Sequence, residues 1–345
     1  MIKIGIYGAS GYTGQELLRL LIRHPQVEIV AITSRQNKGL PLTRVFPGFQ
    51  GLTDLAFADY EPGQMAGLCD IVFLALPHSI AMQAAPLFLG AGKKVIDLSA
   101  DFRLRDVRTY EKWYGKHSAP EILKEAVYGL PELYRRTIAV SNFVANPGCY
   151  PTSAILGLAP LLANHLIDHR SIIVDSKSGV SGAGREPQTG TLFCEVMEGF
   201  KAYNVGRHRH TPEMEQELSL LAGEEVTISF TPHLLPVNRG ILSTIYAGLT
   251  KDVSTVELLR IYSDFYDREK FITIYEEGVL PNISAVRGTN FCHLGLVVDD
   301  RTKRVVIVSA IDNLVKGAAG QAIQNMNLLC GFAEDTGLDM MPLFP

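Results

Sequence analysis

The sequence predicts an α/β fold in two domains, the first built on a parallel sheet and the second an α+β domain with a mostly antiparallel sheet. Three observations support this prediction. Strand and helix patterns alternate in the first part of the chain, which is typical of parallel sheets with crossover helices. A glycine-rich turn joins the first strand to the first helix. Beyond Cys149 the strand patterns follow one another with few helices between them, which favours an antiparallel sheet.

The first domain begins with an apolar, β-branched strand at 2–7 and a helix at 12–23 whose leucines recur at helical spacing. Similar apolar runs predict the other elements of this domain, which are strands at 28–33, 70–76, 94–98 and 138–140 and a helix at 80–89. Pro86 should kink that second helix, because it lacks an amide hydrogen.

The second domain begins near Cys149 with a buried helix, and Pro151 suits the first turn of that helix. Its predicted strands are 171–175, 225–231, 241–249, 292–299 and 304–311. A last helix at 314–329 is expected to pack back on the first domain. The predicted domains are therefore 1–148 with 312–345, and 149–311, and we expect Cys149 in the cleft between them, a favoured place for ligands.

Composition excludes several classes of function for this chain of 345 residues. A net charge of −4 gives no general attraction to nucleic acid or to an anionic membrane, so we expect neither as a partner. The N-terminus lacks the pattern of a secretory signal, and no apolar run is long enough to span a bilayer. The five cysteines are scattered without a C-x-x-C pair, which predicts a reducing compartment, the cytoplasm.

The glycine-rich turn has the spacing G-x-x-G-x-x-G. At a junction between strand and helix, small residues let the backbone approach a pyrophosphate, which the helix N-terminus attracts. The alternative is an ordinary tight turn. We predict a Rossmann-type dinucleotide domain whose turn contributes the cofactor contacts Gly8, Ser10, Gly11, Tyr12, Thr13 and Gly14.

The end of the second strand indicates NADP as the cofactor. Ser34 and Arg35 stand where an NAD enzyme places an acidic residue for the ribose hydroxyl. A hydroxyl and a guanidinium are suited to bind the 2′-phosphate of NADP instead. The alternative for Arg35 is a side chain that faces solvent.

Cys149 lies in the segment Asn-Pro-Gly-Cys-Tyr-Pro-Thr, between a tight turn and the predicted buried helix. Unpaired amide groups and the positive end of the helix dipole favour a thiolate there, and a thiolate is a nucleophile. The alternative is a buried, apolar cysteine, the usual state of an intracellular cysteine.

Four basic residues, Arg-His-Arg-His, are adjacent at 207–210. Because like charges repel, the run indicates a site for an anionic substrate, with one histidine as general acid/base. The alternatives are a solvated turn and a metal site. A third metal ligand is not evident nearby, and we expect no metal. The segments 97–103 and 178–185 are further candidates for anion binding, with plain loop chemistry as the alternative.

Together these motifs resemble N-acetyl-γ-glutamyl-phosphate reductase, the NADPH-dependent enzyme family of arginine biosynthesis, along nearly the whole chain. The resemblance rests on the segments 8–14, 97–103, 128–132, 146–152, 177–185, 208–213 and 312–321. It implies that Cys149 is the nucleophile, that His210 is the acid/base and that His208 lies nearer the substrate. An acyl phosphate substrate would form a thioester on Cys149, release inorganic phosphate and be reduced to N-acetylglutamate semialdehyde.

The resemblance also implies roles for residues outside the cysteine and histidine motifs. Ser181, Gly182 and Asn313 are expected to contact the cofactor, with Asn313 near the nicotinamide. Arg103 and Asn146 are carried over as ligands of the substrate or its phosphate. The family further implies a homodimer or homotetramer through the sheet of the second domain.

Two alternatives stay open on the sequence, an aspartate-semialdehyde dehydrogenase and a non-catalytic sensor, and a third, a short-chain dehydrogenase, is discounted. An aspartate-semialdehyde dehydrogenase would use the same chemistry on an unacetylated substrate. A short-chain dehydrogenase would need a Tyr-x-x-x-Lys pair, and Tyr266 with Lys270 lies late in the chain rather than on the cofactor-binding sheet. A non-catalytic NADP-binding sensor would need the glycine turn but neither Cys149 nor the basic run.

Overall fold

The computed structural model of this chain describes residues 1–343, so the end of the predicted segment 312–345 lies outside the described residues. The chain divides into two compact units. The first unit is Met1–Pro147 with Ala318–Asp339, and the second is Gly148–Gly317 with the described residues from Met340 onward. Residues 312–317, grouped with the first domain on the sequence, lie in the second unit, because the side chains of Asp312 and Asn313 hold backbone amides there.

The first unit contains a sheet of seven strands in the described residues, and every neighbouring pair is parallel. The strands are β1 (Ile2–Tyr7), β2 (Val27–Thr33), β3 (Phe57–Ala58), β4 (Ile71–Leu74), β5 (Lys94–Asp97), β6 (Val127–Tyr128) and β7 (Phe143–Ala145). They lie in the order β3-β2-β1-β4-β5-β7-β6. The helices of this part are α1 (Tyr12–Leu21), α2 (Leu42–Val45), α3 (Pro62–Ala66), α4 (Ala81–Gly90), α5 (Val107–Tyr114) and α6 (Pro131–Ala139).

The second unit contains a mostly antiparallel sheet, in which two of the neighbouring pairs within residues 1–343 are parallel. Its helices are α7 (Cys149–Ala163), α8 (Phe193–Val196), α9 (Thr211–Ala222) and α10 (Thr255–Phe265). Its strands are β8 (Ile173–Gly179), β9 (Lys201–Ala202), β10 (Ser229–Leu235), β11 (Ile241–Gly248), β12 (Ile272–Ile274), β13 (Cys292–Asp299) and β14 (Arg304–Ile311), in the order β12-β13-β14-β11-β8-β10-β9. The chain then returns to the first unit with α11 (Gly320–Cys330). The predicted fold class, a parallel sheet plus a mostly antiparallel one, is confirmed.

Helix α7 is the centre of the second unit, because it is apolar on every side and its residues 150–162 are all buried. Gly157 lets it lie close to the sheet, since a β-carbon there would be 2.9 Å from Ile245 Cδ1. Ser153, four residues after Cys149, donates to Ser243 Oγ at 2.9 Å and lies 3.0 Å from Ser309 Oγ. These buried hydroxyls fix the position of α7 on the sheet, and with it the position of Cys149.

The strand predicted at 138–140 is wrong. This segment ends α6, which starts with Pro131 in its first turn. Ile138 is fully buried, whereas Val140 is 84% exposed. A helix end that buries one residue of an apolar pair therefore explains the pattern better than a strand. The predicted last helix also differs at its start, because a wide π-helical turn at Val315–Ala319 precedes α11.

Candidate active site

Cys149 is the first residue of α7, and its side chain is partly exposed. The preceding Gly148 is extended and forms the N-cap of the helix. Pro151 lies in the first turn, where an amide hydrogen is not needed by the helix. The positive end of the helix dipole stabilises a nearby anion by about 0.3–1 kcal/mol. The partly exposed thiol therefore lies at the positive end of a helix dipole.

Glu213 connects the start of α7 to the start of α9. It lies in the first turn of α9, only 1% of it is exposed, and its Oε1 accepts the amide hydrogen of Gly148 at 2.8 Å. The N-termini of the two helices are thus adjacent, and His210 is the N-cap residue of α9. No role was predicted for Glu213 from the sequence. The signal was present in Thr-Pro-Glu, a typical start of a helix with an acid in its first turn.

Tyr150, the neighbour of Cys149, brings both histidines of the basic run to this place. Its ring lies 5.5 Å from that of His208 and 6.0 Å from that of His210, centre to centre. Its hydroxyl lies 3.0 Å from the hydroxyl of Tyr203. The structure therefore groups His208 and His210 around Tyr150, the residue that follows Cys149, and it adds Tyr150 and Tyr203, which were not predicted from the sequence.

Burial dominates the electrostatics of this cluster. It raises the pKa of Tyr150 far above the usual range and that of Tyr203 to about 12, and the negative charge of Cys149 contributes to both shifts. Burial, followed by the charge of Arg209, lowers the pKa of His208 to about 4. Both tyrosines are therefore neutral hydrogen-bonding groups at neutral pH, and so is His208.

The wide helical turn at Val315–Ala319 packs against Cys149. In this turn Gly317 donates its amide hydrogen to Asp312 O at 2.9 Å. The buried carboxylate of Asp312 holds the turn, because it accepts from the amides of Leu314 at 2.8 Å and Gly288 at 2.7 Å. A β-carbon on Gly317 would lie 2.8 Å from Cys149 Cβ. The backbone can therefore approach Cys149 only because residue 317 is glycine.

Three predicted cofactor residues lie together in the second unit. The side-chain amide of Asn313 donates to Ser181 Oγ at 2.9 Å, and its oxygen accepts from the amide of Gly240 at 2.7 Å. A β-carbon on Gly182 would lie 3.7 Å from the same Asn313 amide nitrogen. Both polar atoms of the Asn313 side chain are thus used within the protein. Contact of these residues with a cofactor stays a prediction.

The glycine turn of the first unit combines two crowded positions with an open one. Gly8 has φ +98°, and a β-carbon there would lie 2.5 Å from Ala75 O. On Gly14 it would lie 2.6 Å from Ala9 Cα, whereas on Gly11 it would meet nothing within 4 Å. Two glycines therefore shape the turn, and the third leaves space in front of the N-terminus of α1, as the close approach of a pyrophosphate requires.

The other predicted cofactor contacts of the first unit surround this turn. Ser34 donates its hydroxyl to Ser10 Oγ at 3.0 Å, so the end of β2 is tied to the turn. Ser34 is buried and Arg35 is exposed. Tyr12 and Thr13, both partly exposed, open α1. The arrangement fits a dinucleotide, with a hydroxyl and a guanidinium at the end of β2.

Arg103 and Asn146, the predicted substrate ligands, are engaged with the protein in the first unit. Arg103 donates from Nε to Asn146 O at 2.8 Å and from Nη2 to Leu98 O at 2.9 Å. The side-chain amide of Asn146 donates to Ala318 O at 3.0 Å. Both side chains therefore hold the segment before Cys149 in place, and a direct contact with substrate stays a prediction.

Two family models match the chain. One is described as semialdehyde dehydrogenase, NAD binding domain, and matches residues 3–141; the other is described as semialdehyde dehydrogenase, dimerisation domain, and matches residues 149–313. Curated relatives named N-acetyl-gamma-glutamyl-phosphate reductase are 58% identical in Citrifermentans bemidjiense and 57% identical in Desulfotalea psychrophila, over 100% of this chain and 100% of each relative. The chain belongs to the N-acetyl-gamma-glutamyl-phosphate reductase family.

Solved structures of more distant proteins share the fold of this reductase family member. Aspartate semialdehyde dehydrogenase II from Vibrio cholerae matches with a TM-score of 0.73 at 18% identity, over 96% of this chain and 99% of that one. Aspartate semialdehyde dehydrogenase from Candida albicans, solved with NADP, matches with a TM-score of 0.69 at 17% identity, over 96% of this chain and 99% of that one. The aspartate-semialdehyde alternative fits only these distant neighbours.

The structure also places the remaining candidates of this reductase family member. Tyr266, half of the Tyr-x-x-x-Lys pair, is buried and donates its hydroxyl to Leu156 O at 2.6 Å. Among residues 1–343, no three or more His, Cys, Asp or Glu side chains are grouped to hold a metal ion. No helix in that range is long and apolar enough to cross a membrane.

Proposed function

We propose that this chain catalyses the NADPH-dependent reduction of N-acetyl-γ-glutamyl phosphate to N-acetylglutamate semialdehyde and phosphate. The observation that carries the proposal is the position of Cys149 at the positive end of a buried helix, next to a tyrosine whose ring contacts His210. The names of the full-length relatives support the same substrate. We also propose the cytoplasm as the compartment, in keeping with five free cysteines.

In the proposed reaction the Cys149 thiolate attacks the γ-carbonyl carbon, and a carbon–sulfur bond forms. The carbon–oxygen bond to the phosphate then breaks, and phosphate leaves with both electrons. The product is a thioester, which is far easier to reduce than a carboxylate. Bound NADPH supplies the hydride that reduces it. His210 gives a proton to the carbonyl oxygen as negative charge develops and recovers it when the carbon–sulfur bond breaks.

The helix ends support the charged states of this reaction. The N-termini of α7 and α9 meet at Gly148, through the hydrogen bond to Glu213. The positive dipole ends of helices near Cys149 favour the negative charge that develops on the carbonyl oxygen of a substrate bound to this residue.

The first experiment is the reverse reaction. We expect phosphate-dependent reduction of NADP with N-acetylglutamate semialdehyde, and at least about a hundredfold lower kcat/KM with aspartate semialdehyde, because the two substrates differ by an acyl group and a chain length. A preference for the aspartate compound would overturn the proposed substrate.

The second experiment tests the nucleophile. Cys149→Ser should lose turnover, whereas Cys194→Ser, which changes an exposed cysteine, should retain it. Iodoacetamide at neutral pH should label Cys149 first in the Cys194→Ser background, since burial raises the pKa of Cys69 to about 11 and also raises that of Cys330. A fully active Cys149→Ser enzyme would exclude the thioester. A Cys149 that does not react with iodoacetamide, in a protein without reductase activity, would favour the alternative of a non-catalytic NADP-binding sensor.

NADP, rather than NAD, is the proposed cofactor, with Ser34 and Arg35 at the 2′-phosphate. Arg35→Glu should lower kcat/KM with NADP by about tenfold or more while sparing NAD, because a carboxylate repels the phosphate. Arg108→Glu is the matched control, since Arg108 is also exposed, with 90% of its side chain accessible. An unchanged preference in Arg35→Glu would remove the residue from the cofactor site.

We further propose that two or four copies assemble through the second sheet. One face of β11 is covered by α7, since Ile245 meets Gly157. The residues that alternate with it, such as Thr244 and Tyr246, are only half-buried, and the neighbouring Asp175 and His233 pair at 3.1 Å on that same open face. The match of residues 149–313 to a family model described as a dimerisation domain supports assembly through this unit. Light scattering should give two or four times 37.9 kDa, and a monomer at micromolar concentration would refute it.

A further inference from the structure

His208 is surrounded by aromatic rings at the start of α9. The ring centres of Tyr150, Tyr203 and Phe230 lie 5.5, 5.6 and 5.3 Å away, each at a steep angle. The ring of His210 is closer, at 4.9 Å. The imidazole is therefore held in one place by packing, while Arg207 and Arg209 on either side of it in the chain are exposed.

The hydrogen bond made by His208 defines its tautomer. Its Nδ1 accepts the backbone amide hydrogen of His210 at 3.1 Å. An atom that accepts here carries no hydrogen, so the neutral ring has its hydrogen on Nε2. The carbonyl of His208 also accepts from the amide of Thr211 at 3.0 Å. The side chain and the carbonyl of His208 thus hold the backbone amides of His210 and Thr211.

A charged His208 is incompatible with this contact. Protonation would place a hydrogen on Nδ1, facing the amide hydrogen of His210, and two donors cannot bond to each other. The charged and titratable groups around it are Tyr150, Tyr203, His210 and Arg209. Burial and Arg209 lower the pKa of His208 to about 4, so the ring stays a neutral acceptor over the working range of pH.

We propose that His208 is a positioning residue whose Nδ1 fixes the backbone of His210 and so sets the aim of the acid/base ring, instead of binding the substrate. This division of labour between the two histidines rests on the proposed function. Tyr150, which follows Cys149, packs against the rings of both His208 and His210. The position of His210 is therefore also set relative to Tyr150.

Two isosteric variants separate the two roles of His208. In His208→Asn the side-chain oxygen takes the place of Nδ1 and can still accept from His210. In His208→Gln the polar group takes the place of Nε2, where a substrate contact would be made. We expect kcat to fall by about tenfold or more in His208→Gln, with little change in the KM of the acyl substrate, because His210 loses its alignment. His208→Asn should recover most of that loss.

The opposite pattern, recovery by glutamine with a raised KM in His208→Asn, would overturn the proposal. Equal losses in both variants would overturn it as well. Circular dichroism and thermal melting of each variant exclude misfolding as the cause.

A measurement without turnover keeps the proposal testable if the proposed reaction is wrong. In ¹⁵N-histidine spectra of the intact protein, the His208 signals, identified by their loss in His208→Asn, should show the Nε2–H tautomer unchanged from pH 8 to pH 5. A signal that titrates near pH 6.5, or one with hydrogen on Nδ1, would overturn the assignment. Absence of reductase activity with the expected spectrum would instead count against the proposed function alone.

Discussion

Replacing Gly317 with alanine should displace Cys149, the proposed nucleophile. The added β-carbon would lie 2.8 Å from Cys149 Cβ and 3.3 Å from both Cys149 Cα and Asp312 O. Carbon atoms in contact prefer a separation of about 3.5–4.0 Å, so the start of α7 and the turn around residue 317 must move apart by about 1 Å. Neither segment can move easily, because α7 is buried and bonded to Glu213 at its start, and the turn is held by the buried Asp312.

A displacement of this size has a predictable cost. Misplacing a reacting group by about 1 Å lowers the rate by about a hundredfold. Overpacking a buried site also costs about 1–3 kcal/mol of unfolding free energy, which a folded protein of this size should survive. We therefore expect Gly317→Ala to fold with a lowered melting temperature and to lose about two orders of magnitude in kcat.

The assay combines turnover with the rate at which iodoacetamide modifies Cys149, followed by mass spectrometry in the Cys194→Ser background. Gly90→Ala is the matched control, because Gly90 is also helical and a β-carbon there meets nothing within 4 Å. A Gly317→Ala enzyme that keeps kcat within about threefold of the parent, with a Cys149 that reacts at the parental rate, would refute the expected displacement. A loss of stability alone would not rescue it.

Three further predictions concern the rest of the site. Glu213→Ala should cost about 1–3 kcal/mol in urea unfolding, since it leaves the buried amide of Gly148 unbonded, and Glu213→Gln should restore most of it; equal losses would contradict the tether. Burial raises the pKa of the Asp97 carboxyl to about 7 in the folded protein. The free energy of unfolding should therefore be highest below about pH 4 and fall by about 1.4 kcal/mol per pH unit as the pH rises from 4 to 7. Asp97→Asn should remove this fall in unfolding free energy between pH 4 and 7, and an unchanged pH dependence would refute the raised pKa of Asp97. Gly8→Ala should abolish dinucleotide binding measured by fluorescence titration, because it combines φ +98° with a 2.5 Å contact to Ala75 O; native affinity would contradict the role of this glycine.

Much of the site could be predicted because its signals are local. The turn chemistry around Cys149 and the buried pattern after it place the thiol at a helix N-terminus, where the structure has it. Glycines at a strand-to-helix junction predict the shape of the cofactor turn in the same way. These features depend on residues a few positions apart, and the chain needs no distant partner to specify them.

Other features of the fold and the site could not be predicted from the sequence, because they depend on contacts that form only in the folded chain. The 138–140 segment was mistaken for a strand because an apolar run at a helix end has the same composition as a short strand, and only burial separates them. Arg103 and Asn146 were predicted as substrate ligands from their polar groups, and in the structure both donate to backbone carbonyls, a pairing that only the folded chain brings about.

The sequence by itself determined the two sheet types, the glycine turn between the first strand and the first helix, the place of Cys149 at a helix N-terminus and the reductase family. Only the tertiary structure decided what surrounds the nucleophile: the tether from Glu213, the ring of Tyr203 and the glycine at 317 that lets the backbone pass. The reason is the range of the interactions. Periodicity and turn preferences act over a few residues, whereas these contacts join segments far apart in the chain, and their partners are selected by how the whole unit packs.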